Sequence, residues 1–299
     1  MKIVVIGRSG QLAKALSILN GSPHEIVCLS RDEINLFELS SLKEKLKSFN
    51  ANGIINASAY TAVDKAQTDE SAAYALNVTA VENLAITCHD LNIQLVHIST
   101  DYVFNGQSNM PYDPETMHSP LGVYGETKAE GENVLLSRCK NSAVIRTSWV
   151  YSSYGQNFVK TMLSLMQKLP KIEVISDQIG SPTCATGLAR VCVSVLVNKV
   201  TGVHHYTDTG VASWFDFAKA IQRKGLDYGI LQEKIPILPI SSEEYYTKYP
   251  TLAPRPFYSV LNKSSLMKAL PELDWEHWQD RLNHVVIKLA ESEKIHILK

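Results

Sequence analysis

No stretch of the 299 residues stays apolar for the roughly 18 positions that a membrane-spanning helix needs, and the opening MKIVVIG is too short for the apolar core of a secretory signal. A cytoplasmic protein without a targeting segment is expected. Net charge is also missing: 29 Lys plus Arg stand against 30 Asp plus Glu, a formal −1. No global field draws phosphate backbones or anionic lipid, so nucleic acid and membranes are not expected partners, and an acidic ligand must be held by local groups. Cysteine is sparse and scattered. Cys28, Cys88, Cys139, Cys184 and Cys192 form an odd set without CxxC or Cys/His ligand spacing, which argues against a disulfide framework and structural zinc. They read as reduced, buried fillers. Neither an internal repeat nor a low-complexity stretch is visible. What remains, 45% hydrophobic and 20% charged, is the composition of an ordinary globular protein of one or two domains.

The first half alternates short β-branched runs with amphipathic stretches. Strands are expected at 2–6, 26–29, 53–56, 93–99 and 143–147, and helices at 10–19, 40–49, 69–89 and 124–137, with Asp69 as N-cap of the third. Strands apolar throughout and separated by helices predict a parallel sheet covered on both faces, an α/β fold of the doubly wound, Rossmann type. In such sheets the ligand lies outside the carboxyl ends of the strands. Beyond residue 150 prolines at 170, 182, 236, 239, 250, 254 and 256 punctuate shorter elements. Helices are expected there at 157–167, 186–198, 214–224 and 275–292. The division that follows is a dinucleotide-binding domain over 1–150 and a smaller, mainly substrate-binding portion over 151–299, interleaved with the last elements of the sheet.

The first strand runs directly into Gly7-Arg8-Ser9-Gly10-Gln11-Leu12-Ala13, a G-x-x-G-x-x-A loop that opens a helix. Glycines let the backbone approach a pyrophosphate, and the helix N-terminus offers free N–H groups and a favourable dipole. The loop lacks the commoner G-x-G start, so a plain βα turn is the alternative. After the second strand come Leu29-Ser30-Arg31-Asp32. An acid here accepts from the ribose 2′-OH and an Arg accommodates a 2′-phosphate. Ser30 and Arg31 favour NADPH, Asp32 keeps NADH open, and a solvated charge pair is the bland reading.

Strand four ends in Ser99-Thr100-Asp101-Tyr102, and a later helix begins Tyr124-Gly125-Glu126-Thr127-Lys128. Tyr and Lys four apart share a helix face, so the ammonium can sit near the phenol, favour its ionised form and touch a cofactor ribose. A Thr100 hydroxyl at the strand end completes a carbonyl-reducing site of proton donor, modulator and oxyanion partner. YxxxK alone is a weak signal; the Gly loop and the strand-four Thr in order make it specific.

These blocks, with NASAYTAVDKAQ, STDYVFNG, PLGVYGETKAEGE, IRTSWVY, NFVKTML, DQIGSPT, GVHHYTDTGVASWFDFA and APRPFYSVLN, cover nearly the whole chain. Together they resemble the extended short-chain dehydrogenase/reductases, within them the branch that reduces the C4 keto group of a dTDP-linked sugar for cell-surface polysaccharide. The resemblance implies Tyr124 as proton donor, Lys128 as modulator and ribose contact, and Thr100 as third catalytic member. It implies a cofactor lined by Gly7, Gly10, Gln11, Leu12, Ser30, Arg31, Ala59, Tyr60 and Thr61 and by the catalytic Tyr124 and Lys128, with Asn35 and Leu36 near the adenine. It places Thr100, Asp101 and Trp149 against a dTDP-sugar, and Asn157 and Arg255 toward its diphosphate.

Other polar residues have plainer readings. Asp64 and Lys65 suit a helix-start ion pair, Trp214 and Phe215 one apolar helix face capped by Ser213, His204 and His205 packing in a short strand, and Asp113 and Glu115 a solvated loop. Some members of the branch build a dimer around magnesium held by glutamates; the corresponding positions are Ala15 and Thr186, which are not carboxylates, so a monomer or a homo-oligomer without a bridging metal is expected. A usual Asp near the adenine is Asn35. Rival readings are a reductase or epimerase of another 4-keto nucleotide sugar, a 4,6-dehydratase, disfavoured by Tyr102 where dehydratases carry Glu, and a non-catalytic regulatory subunit similar to that of methionine adenosyltransferase.

Overall fold

A computed structural model describes residues 1–297 of the chain, and the side chains of residues 1–292. Six strands form one sheet: β1 (Lys2–Ile6), β2 (Glu25–Leu29), β3 (Gly53–Asn56), β4 (Gln94–Thr100), β5 (Ser142–Thr147) and β6 (Gly202–His205). Their order is β6-β5-β4-β3-β1-β2, and every pairing is parallel. The strands alternate their buried side chains between two helical layers, as period two requires. Ile3, Val5, Ile55, Val96 and Ile145 pack with Leu12 and Leu16 of α1 (Gln11–Ile18) and with Leu188, Val191 and Val195 of the helix Ala185–Val197. Val4, Ile6, Ile54, Leu95 and Val144 face α2 (Leu39–Phe49), α3 (Ala80–Asp90) and α4 (Val123–Arg138) through Leu42, Leu46, Leu84 and Leu135.

The sixth strand and the helix Ala185–Val197 come from beyond residue 150, so the later part of the chain completes the sheet. The remaining segments build a separate core from the helices Phe158–Lys168, Trp214–Asp227 and Trp278–Ile297, around Phe217, Leu163 and Leu282. Ser213 caps Trp214–Asp227 in a capping box with Asp216. The expected helix over 69–89 is instead three pieces: Glu70–Tyr74, a π-helical turn Ala75–Thr79, and α3. Asp69 flanks the first piece, but its carboxylate makes no cap and accepts from the Tyr60 hydroxyl at 3.3 Å. The π turn turns Asn77 inward, where its Oδ1 accepts from Tyr60 N–H (2.9 Å) and its Nδ2 donates to Tyr60 O (3.2 Å) and Thr127 Oγ1 (3.1 Å). One side chain thus ties the loop after β3 to α4.

Helix α4 is fastened to the sheet by charge. Glu132 is fully buried and accepts from Arg146 of β5 at 2.7 Å, from His118 at 3.1 Å and from Ser99 of β4. Burial alone would push the Glu132 carboxyl up, but the hydrogen bonds from His118 and Arg146 and the Arg146 charge outweigh it and hold it at about 2. Its pKa is lowered by folding from 4.5, so the stabilisation is present above about pH 4.5 and is lost as pH falls toward 2. Replacing one partner strands the other charge: Glu132→Leu is expected to lower the free energy of unfolding by about 3–5 kcal/mol at neutral pH. Urea unfolding from pH 7 down to 3 checks this, with the variant losing less further stability than the parent on acidification.

Candidate functional site

The carboxyl ends of β1, β3, β4 and β5 open on one cavity of about 590 Å³. Its walls follow the strands in turn: Ser9 to Leu12 after β1, Ala57 to Ala59 and Thr61 after β3, Ser99 to Tyr102 at the end of β4, and Thr147 to Val150 at the end of β5, with Tyr124 and Lys128 from α4. At Gly7 the chain leaves β1 with φ +120°, a conformation L side chains rarely adopt. Gly10 precedes α1 without a side-chain cap, and a Cβ there would meet nothing within 4 Å. The first N–H groups of α1 therefore face open space and suit a pyrophosphate. Gln11 lies in this wall, and its amide donates to Val150 O (3.2 Å) and accepts from Ser152 (2.8 Å) and Asn157 (3.0 Å), tying the loop to the later part of the chain.

Beyond the end of β2 three donors converge on one carboxylate. Glu33 accepts from the Ser30 N–H (2.8 Å), the Ser30 hydroxyl (2.8 Å) and the Arg8 guanidinium (2.8 Å). The two Ser30 hydrogen bonds, ahead of the Arg8 charge, hold the Glu33 carboxyl below its ordinary value. Arg31 is 96% exposed and only loosely paired with Asp32 at 3.9 Å. Arg8 was the readable signal here, a base inside the glycine loop. Leu36 is buried, its carbonyl held by Asn83, and Asn35 accepts from Phe37 N–H.

Thr100, Asp101, Tyr124 and Lys128 share the cavity wall. Gly125 makes the approach possible: a Cβ there would lie 2.2 Å from Tyr102 O, so α4 can press its first turn onto the Asp101–Val103 turn only without a side chain at that position. Burial pushes the Tyr124 phenol up to about 12, with the Thr100 hydroxyl pulling it down. Lys128 is not among the groups that move the phenol in this site. Lys128 Nζ turns inward, to Ile98 O at 2.7 Å and His97 Nε2 at 3.1 Å, and burial, opposed by the Glu132 charge, brings it down to about 8. Thr100 Oγ1 donates to Asp101 Oδ1 at 3.0 Å, and burial raises Asp101 to about 6 against the pull of the Ser259 and Thr100 hydroxyls. Its Oδ2 has no hydrogen-bond partner among the described residues.

Trp149, in the wall of this cavity, holds a left-handed backbone (φ 49°) while its ring stacks at 3.6 Å on Trp214, which lines a second cavity of about 660 Å³. Phe158, Met162, Leu165, Tyr245 and Tyr249 line the second cavity, with Arg255 at its edge. Asp64 pairs not with Lys65 but with Arg255 at 2.8 Å, across 191 positions of sequence. Partial burial pushes the Asp64 carboxyl up, but Arg255 and the Ala253 N–H outweigh it and hold it below its ordinary value. Asn157 lies outside both cavity walls: it caps the helix Phe158–Lys168, and its amide donates to Gln11, Ser152 and Tyr154. His205 is buried beside Arg146, His204 bonds Ser265, and Asp113 accepts from Asn262.

A family model described as "RmlD substrate binding domain" matches residues 1–291. The chain belongs to this family of dTDP-4-dehydrorhamnose reductases. It is 35% identical over 285 residues to the dTDP-4-dehydrorhamnose reductase of Aggregatibacter actinomycetemcomitans, covering 92% of this chain and 96% of that one. Among solved structures it is similar to a dTDP-4-dehydrorhamnose reductase of Clostridium acetobutylicum (TM-score 0.89, 33% identity, 97% and 99% of the two chains). It is also similar to that of Bacillus anthracis in complex with NADP (TM-score 0.88, 32% identity, 96% and 99%). The chain is an NAD(P)H-dependent oxidoreductase with a Rossmann-type fold.

Gly125→Ala is expected to shift the first turn of α4 off the Asp101–Val103 turn and to lower kcat/KM about 10²-fold, the order reached by displacements near 1 Å. Steady-state kinetics beside a thermal melt checks this; unchanged kinetics would remove the close approach from the site's design.

Proposed function

We propose that the chain reduces the C4 keto group of dTDP-4-dehydro-L-rhamnose with NADPH, in the supply of a dTDP-sugar for cell-surface polysaccharide. The observation that carries this reading is one cavity shared by the uncapped start of α1 and by Thr100, Tyr124 and Lys128. The donor set fits a dinucleotide: bare helix N–H groups for the pyrophosphate, Ala59 and Thr61 along the wall, and Arg8 and Ser30 for an adenosine 2′-phosphate. A bound reduced nicotinamide supplies the hydride.

The protein's own part is the proton and the pose. Tyr124 is protonated at neutral pH, as a phenol ordinarily is, and burial favours that form further, so it can donate to the carbonyl oxygen as negative charge develops there. The single Thr100 proton, directed at Asp101 in the free site, can turn to the same oxygen and stabilise it. The unpartnered Asp101 Oδ2 suits a sugar hydroxyl, and Trp149 closes the sugar subsite. The aromatic second cavity suits the pyrimidine nucleotide. Arg255 keeps N–H donors beyond those spent on Asp64 and Ala253, and these suit the diphosphate.

Two outcomes test the reading. Tyr124→Phe is expected to lower kcat roughly 10²- to 10⁴-fold while leaving dinucleotide affinity, read by calorimetry, unchanged; equal turnover by the variant would take Tyr124 out of the role. Glu33→Gln removes the charge that competes for Arg8 and Ser30, and the ratio of NADPH to NADH efficiency is expected to rise several-fold. An unchanged ratio would detach these donors from cofactor choice.

A further inference from the structure

Behind Lys128 lies a buried chain of side chains that the mechanism above does not use. Asn56, at the end of β3, accepts through Oδ1 from the Ser58 N–H (3.1 Å) and the Ser58 hydroxyl (2.7 Å). A backbone N–H can only donate, so the amide cannot be turned around without losing its acceptor. Asn56 Nδ2 then faces His97 Nδ1 at 3.1 Å and must find a lone pair there. His97 is 0% exposed, and burial, with the Lys128 charge second and Glu132 opposing, drives its pKa well below the ordinary value. The ring is neutral and has one proton to place. With Nδ1 accepting, that proton sits on Nε2, 3.1 Å from Lys128 Nζ.

We propose that Asn56 and Ser58 lock His97 as the Nε2–H tautomer, and that this N–H, aimed at Lys128 Nζ, favours the neutral amine over the ammonium. His97 is thus the positioning residue that decides when Lys128 carries charge. An ammonium offers no acceptor to the ring N–H, whereas an amine accepts from it, donates to Ile98 O and keeps one N–H for the cavity. The other groups around the pair are few. Glu132, one turn along α4, favours the ammonium but is itself engaged by Arg146 of β5 and by His118; Tyr124, one turn before, is uncharged; Asn56 of β3 brings no charge. The ring N–H acts in the same direction as burial, which already lowers Lys128 to about 8. The inference rests on the reading of Tyr124 and Lys128 as catalytic for its functional consequence, which is that activity fails on the alkaline side when Lys128, rather than Tyr124, loses its proton.

Long-range ¹H–¹⁵N NMR of histidine-labelled protein reads the tautomer without reference to activity. The chain has nine histidines, and the spectrum of His97→Phe assigns the one in question. A protonated Nε2 and a bare Nδ1 are expected; an Nδ1–H ring overturns the proposal, whatever the enzyme does. Asn56→Asp replaces the amide donor by an acceptor and turns the ring to its other tautomer, and His97→Phe removes the donor. Each is expected to move the alkaline limb of the kcat/KM profile upward by about one pH unit. An Nε2–H ring with both limbs unmoved also overturns it, since Lys128 would then titrate independently of His97. Failure of the catalytic reading itself would appear separately, as undiminished turnover by Tyr124→Phe.

Discussion

The buried contact between Glu132 of α4 and Arg146 of β5 is the constraint on which the site depends. Four groups converge there from α4, β4, β5 and the 105–122 loop, and neither the carboxylate nor the guanidinium could be buried without the other. The contact fixes the height and rotation of α4 over the sheet. Lys128 and Tyr124 stand one and two turns before Glu132 on the same helix, so their placement in the cavity wall is inherited from an ion pair that is not part of that wall. Gly125 permits the closest part of this docking and Asn77 reinforces it from the side.

Burial also sets the chemistry. It raises the Tyr124 phenol and lowers the Lys128 amine, so in the free site both tend toward their neutral forms, with the hydroxyl of Thr100 and the carboxylate of Glu132 pulling each back. A neutral phenol is what a proton donor to a developing alkoxide requires. Arg8 and Ser30 stand on more exposed ground, with the Glu33 carboxylate drawing donors from both.

Much of this was legible in the sequence because it depends on local pattern. Strand positions 2–6 and 53–56 follow from apolar runs between turns, and the Gly7 to Ala13 loop and Tyr124/Lys128 spacing place chemistry at strand ends by topology alone. Less legible was whatever depends on partners distant in sequence. Asp64 meets Arg255 rather than its neighbour Lys65, Gln11 and Asn157 bond each other across 146 positions of sequence, and Glu33 returns to Ser30 and Arg8. The π turn at Ala75–Thr79 has no periodicity signal, since it adds one residue to a helix pattern that otherwise continues. His97 sits in an apolar strand run and reads as filler until Lys128 and Asn56 are seen on either side of it.

The most direct measurement is the loss of reduced-nicotinamide absorbance when the purified protein meets NADPH and dTDP-4-dehydro-L-rhamnose, generated in place from dTDP-glucose by the preceding dehydratase and epimerase, with the product identified by NMR. The account predicts one NADPH consumed per dTDP-L-rhamnose formed, and no oxidation when the epimerase is left out. Dinucleotide binding without oxidation, in the presence of the verified keto sugar, would contradict it.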